Sequence, residues 1–149
     1  MWFRKKELAN PGMICNAEME RVANLLVIDV GKQGVSLDYS GESLRAIDRL
    51  LAGYGSDRGN GDKNMGLVDL VGAYFGEVVR RHYGGEWFEN IPPDNATGLW
   101  IDRRSDMWLW CHAVVYKQLE NGRKSLHAIF EDIPKRMAEF GARSNRPMN

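Results

Sequence analysis

Val68-Asp69-Leu70-Val71-Gly72-Ala73-Tyr74-Phe75-Gly76-Glu77-Val78-Val79-Arg80-Arg81-His82-Tyr83-Gly84-Gly85-Glu86-Trp87-Phe88 is the stretch on which the fold turns. Val68, Val71, Phe75, Val78 and Val79 recur with the spacing of a helix whose apolar face is unusually broad. A helix apolar over so much of its surface belongs at the centre of a fold, and we expect one from about Leu67 to Tyr83. Gly72 and Gly76 cost helix stability, and their spacing puts both on one face, where another element can approach closely. Gly84-Gly85 ends the helix, and Glu86-Trp87-Phe88 reads as a strand. The change of period within so few residues predicts an α+β fold.

Downstream, Leu99-Trp100-Ile101 and Met107-Trp108-Leu109-Trp110 read as strands joined by a turn through Arg104-Ser105-Asp106. Ile91-Pro92-Pro93-Asp94 reads as a loop. From Met107 to Val115 only His112 is polar, so this run is expected to be buried on both faces. Helix resumes through Tyr116 to Glu120 and stops at Asn121-Gly122. Leu126, Ile129, Phe130, Ile133, Met137 and Phe140 form one stripe of a last helix, which Pro134 should kink or divide.

Upstream, Met19, Val22, Ala23, Leu26 and Val30 mark an amphipathic helix from about Ala17 to Val30, stopped by Gly31 and Gly34. Val35, Leu37 and Tyr39 alternate with polar residues, as in a short strand. Ser40 is placed to cap the next helix, which turns Leu44, Ile47 and Leu51 inward and ends near Gly53. Residues 53–66 hold five glycines and little to bury, as in a mobile surface loop. The expected whole is a helix-rich single domain: an extension over 1–15, an α+β body over 16–140 of about five helices with a small antiparallel sheet from 86–110, and a disordered tail over 141–149.

The chain has 149 residues, with 20 basic and 20 acidic side chains and a formal net charge of zero. This balance provides no global field for nucleic acid or an anionic membrane. Arg80-Arg81-His82 and Arg103-Arg104 read as solvated surface, the alternative being that they converge into a local basic patch for nucleic acid. No apolar run is long enough for a signal or a membrane span, and Cys15 and Cys111 have no partner at redox or metal spacing. Free thiols in a reducing cytoplasm are the expectation.

Known chemical motifs fail on particular residues. Gly61 to Gly66 has the glycine spacing of a phosphate loop, but Leu67-Val68 replaces the lysine and hydroxyl. A dinucleotide fingerprint needs a glycine at Asn64. A calcium loop from Asn60 needs glycine at Met65 and an acid at Val71. His82, His112 and His127 lack metal-ligand spacing, and adjacent Cys111 and His112 point apart. No nucleophile elbow is present. No catalytic residue, metal or cofactor is assigned.

Glu77 invites two readings. It could be a buried carboxylate lining a pocket with Tyr74 and Trp87, or it could pair with Arg81 one turn on, worth a few tenths of a kcal/mol. Trp87, Trp100, Trp108 and Trp110 are either core packing or an aromatic interaction surface. Tyr74, Glu77, Arg81 and Trp87 are the candidate ligand- or partner-binding residues.

Leu37-Asp-Tyr-Ser-x-x-Ser43-Leu-x-x-Ile47-Asp, then Gly72-Ala-Tyr-x-Gly-Glu-Val and Gly85-x-Trp87, resembles a group of uncharacterised bacterial proteins. So does Leu119-Glu-Asn-Gly122 followed by Ser125-Leu. The resemblance covers about residues 20–132. Such proteins are domains of unknown function, and some small bacterial relatives are presumed toxin antidotes. The absent catalytic motifs, the neutral chain and the many aromatic residues point to a non-catalytic bacterial cytoplasmic protein that binds another protein, and by analogy with such antidotes an immunity protein is one form. The alternative is a small-molecule binding protein or atypical enzyme with its pocket at Tyr74, Glu77 and Trp87.

Overall fold

The computed structural model describes residues 2–4, 12–54, 64–102, 106–122 and 124–144. The chain runs β1 (Trp2–Arg4), β2 (Met13–Ile14), α1 (Asn16–Gly31), α2 (Ser43–Ala52), α3 (Met65–Tyr83), β3 (Glu86–Ile91), β4 (Ala96–Asp102), β5 (Met107–Leu109), α4 (Cys111–Asn121) and α5 (Leu126–Ser144). It is a helix-rich α+β fold with an antiparallel sheet in the order β1-β5-β4-β3-β2. Two stretches inside the expected extension supply the sheet's edges, β1 beside β5 and β2 beside β3. Residues 55–63 of the expected glycine-rich loop, the Arg103-Arg104 pair and residues 145–149 of the expected tail lie outside the described residues.

α3 is the central helix, packed by α1 on one side and α4 on another, while α2 lies against α5. Every residue from Val71 to Val79 is buried, as its broad apolar surface predicts. The two glycines admit close approach. A Cβ at Gly76 would collide with the Trp87 indole and crowd the Cys111 sulfur, and one at Gly72 would collide with the His112 ring. Glycine is what lets β3 and α4 lay these two rings against α3.

The strands alternate faces as a pleat requires. Trp87, Leu99, Ile101, Met107 and Leu109 enter the core shared with the helices. Phe88, Trp100 and Trp108 belong to a second cluster with Ile91, and Trp110 packs against it. There Trp100 and Trp108 stack at 5.7 Å and 3°, and Trp108 and Trp110 at 5.8 Å and 14°. Trp87 and Trp108 have no exposed surface and Trp100 has little, so these three are core residues.

Several local expectations change. Residues 35–38 form no strand, and Tyr39 takes a positive φ of 63°. The alternation came from Leu37 entering the core and Tyr39 stacking on Tyr74 at 4.9 Å. β3 runs through Ile91, and the turn begins after it. The apolar run from Met107 leaves the sheet at Trp110 and is helical from Cys111, earlier than expected. Pro134 does not divide α5, which continues past Gly141. A proline at this position gives no N–H to the Phe130 carbonyl one turn back. The Tyr83 hydroxyl donates to that carbonyl instead, at 3.3 Å.

Side chains far apart in sequence tie the helix ends. Ser40 Oγ accepts from the Ser43 N–H at 3.1 Å, in the turn just ahead of α2, whose cap position is Glu42 and not Ser40. Asp48 of α2 accepts from the first main-chain N–H groups of α5, Leu126 at 2.8 Å and His127 at 3.2 Å. A carboxylate there also meets the positive end of the helix dipole.

Candidate functional site

The residues singled out from sequence lie on two faces of α3. Tyr74 is fully buried and its hydroxyl lies 2.6 Å from Ser43 Oγ. Ser43 gives its one proton to the Ser40 carbonyl at 2.6 Å, so Tyr74 donates to Ser43 and accepts from the Tyr39 N–H at 3.0 Å. Burial pushes the Tyr74 phenol upward, and the bond it accepts from the Tyr39 N–H opposes that shift.

Glu77 is also fully buried. Arg80 Nε reaches both its carboxylate oxygens at 3.1 and 3.2 Å, Arg80 Nη2 adds a bond of 3.0 Å, and Arg81 Nε one of 3.4 Å. The ion pair is therefore a buried carboxylate held by two partly exposed arginines in place of an exposed helical pair. Both arginines also approach Glu20 of α1, at 3.9 and 3.7 Å. The Arg81 guanidinium lies 3.6 Å from the centre of the Tyr39 ring, a cation–π contact.

Tyr74, Glu77 and Arg81 thus meet through Tyr39, whereas Trp87 lies over Gly76 with its ring 5.9 Å from that of His112. Of the four, Arg81 lines a depression in the surface. This is an open polar hollow of about 420 Å³ shared with Glu20, Asn24 and Tyr39. Its charges are already paired, Arg81 with Glu20 and Glu77 and Arg21 with Glu18.

A larger cleft of about 690 Å³ opens on the Gly72 side of α3. α1 contributes Met19 and Val22, the end of β3 and its turn Ile91 and Pro93, and the start of α4 Trp110 and Ala113. The ionisable groups in its wall are Asp69 of α3, Asp94 of the β3–β4 turn and His112. A cleft of this size with apolar walls and few polar groups has the character of a ligand site.

His112 is the least settled group in it. Burial pushes its imidazole below the ordinary value, while the charge of Asp69 and a hydrogen bond to the Asp69 main chain resist that shift. Nδ1 is buried without a hydrogen-bond partner. The main-chain bond on α3 is therefore made by Nε2, whose edge of the ring lies nearest Gly72. Nδ1, on the edge turned away, keeps a lone pair that nothing in the protein uses. The neighbouring Cys111 is fully buried, gives its S–H to the Leu109 carbonyl at 3.8 Å, and is held well above the ordinary thiol value by burial. It is a packing residue.

Sequence reasoning passed over this cleft because its wall comes from five separate stretches. The one signal was the Gly72 and Gly76 pair, which marked a face open to close approach without saying what approaches. Among the described residues no group of three or more potential metal ligands forms, and no helix is long and apolar enough to cross a membrane. Comparison of the chain with protein-family models, curated proteins and solved structures finds no match.

Proposed function

We propose that this protein is a binding protein whose cleft beside Gly72 takes up a small, largely apolar molecule. The observation that carries the reading is the 690 Å³ cleft itself, apolar in wall and edged by a histidine whose acceptor atom has no partner. The test is a thermal-stability screen of small aromatic and aliphatic compounds against the intact protein and against Ala113→Trp. Ala113 is exposed on α4 at the cleft, so an indole there blocks the space without entering the core. Compounds that raise the Tm of the native protein and not of the variant support the reading. Equal effects on both overturn it.

A second reading is interaction with another protein, of which an immunity protein blocking a toxin is one case. Its specific support is β2, at one edge of the sheet, where Met13 and Ile14 are each 60% exposed. Exposed apolar side chains on an edge strand suit pairing with an added strand. Affinity purification from the native host would test it. A stoichiometric partner lost on Ile14→Lys supports it, and one retained by that variant removes β2 from the interface.

A further inference from the structure

We infer that the occupant of the cleft is an organic cation: an ammonium group carried on an aromatic or aliphatic body. This inference rests on the cleft being a ligand site, and adds the sign of the ligand's charge and the place of each of its parts.

The two carboxylates of the wall both ask for a donor. Asp69 and Asp94 are carboxylates on different elements, one on α3 and the other on the turn after β3. An ionised carboxylate only accepts hydrogen bonds. An ammonium group has three N–H donors and no acceptor, so it matches such a set. A carboxylate or phosphate ligand would meet two like charges.

The apolar wall selects against a small hydrated ion. Met19, Val22, Ile91 and Pro93 offer nothing to replace a hydration shell, and they favour a hydrocarbon body. Trp110 adds an indole at the same wall, the aromatic side chain best suited to a cation. Asp69 and Asp94 are exposed at the mouth, where they would draw a cation from solution and where salt would weaken them.

The test uses three probes of nearly one shape: 2-phenylethylamine, 2-phenylethanol and 3-phenylpropanoate. Their binding to the intact protein is followed by amide chemical shifts, with Thr97 of β4 and Ala113 of α4, both lining the cleft, as reporters. The amine should bind at least about tenfold tighter than the alcohol, and the anion should bind weakest. In Asp69→Asn/Asp94→Asn, both sites being exposed, the amine should fall to the level of the alcohol while the alcohol is unchanged. Equal binding of amine and alcohol at these reporters, or preference for the anion, overturns the cation while leaving the cleft. Failure of all three to move Thr97 and Ala113 overturns both.

Discussion

A carboxylate with no exposed surface must have its charge met inside the protein, and Glu77 has it met by two guanidinium groups. Removing one member of such a cluster strands the others. Because Arg80 and Arg81 keep partial exposure and Glu20 nearby, the cost is moderated. Glu77→Gln should destabilise the protein by about 2 kcal/mol in urea unfolding. A loss within the few tenths typical of an exposed helical pair would return Glu77 to that class. His112 governs a different property. Its folded form resists protonation, so as pH falls through the ordinary value of 6.5 the unfolded chain takes up the proton first. The stability tied to His112 is therefore intact above that value and lost below it. His112→Gln should flatten the acid side of the stability curve by up to about 1.4 kcal/mol per pH unit. Matching slopes for the two proteins between about pH 7 and about pH 5 would show that Asp69 fully compensates the burial.

Helices of one sequence can answer a single glycine in opposite ways. At Gly76 an added methyl meets the indole of Trp87, which is fully buried and has nowhere to retreat. Gly76→Ala should cost about 1–3 kcal/mol in spite of its better helix propensity. At Gly141, within α5, an added methyl meets open space. Gly141→Ala should stabilise by about 0.5–1 kcal/mol, and denaturant midpoints for the two variants should shift in opposite directions. Periodicity exposed the helices because their buried faces are long; α3 is buried over its whole middle and α5 keeps a single stripe. It misread shorter pieces. Tyr39 alternates like a strand residue because it stacks on Tyr74, a contact 35 positions away. The Met107–Val115 run hides a change from strand to helix, since His112 is the one polar residue in it and its exposed position on α4 is an alanine. Pro134 was legible as a helix breaker, but the Tyr83 hydroxyl that relieves it lies 47 positions upstream.

Taken as a whole, the molecule has two apolar layers, one between helices and sheet and a smaller aromatic one on the sheet's other face. Both cysteines lie in the larger layer. Burial pushes Cys15 up to about 11, and Cys111 is held higher than its ordinary value by burial as well. An alkylating reagent at mildly alkaline pH should therefore modify neither thiol in the native protein and both after denaturation, as intact-mass measurement would show. The motifs over Leu37–Asp48, Gly72–Val78 and Gly85–Trp87 map largely onto the framework: Ser43 and Tyr74 in one hydrogen-bonded set, Gly76 beneath Trp87, and Asp48 on the start of α5. Framework residues leave strong local marks in a sequence. The cleft does not, because Val22, Asp69, Asp94 and His112 meet only once α1, α3, the β3–β4 turn and α4 have docked. The bond from Asp48 to α5 has one more consequence, measured in time. Amide protons in the first turn of a helix commonly exchange with solvent deuterium quickly, having no carbonyl to hold them. Those of Leu126 and His127 are held by a carboxylate on α2, so each exchange event waits for the two helices to part. Their decay under deuterium would be a clock on that opening, running at one place in the chain while reporting on another.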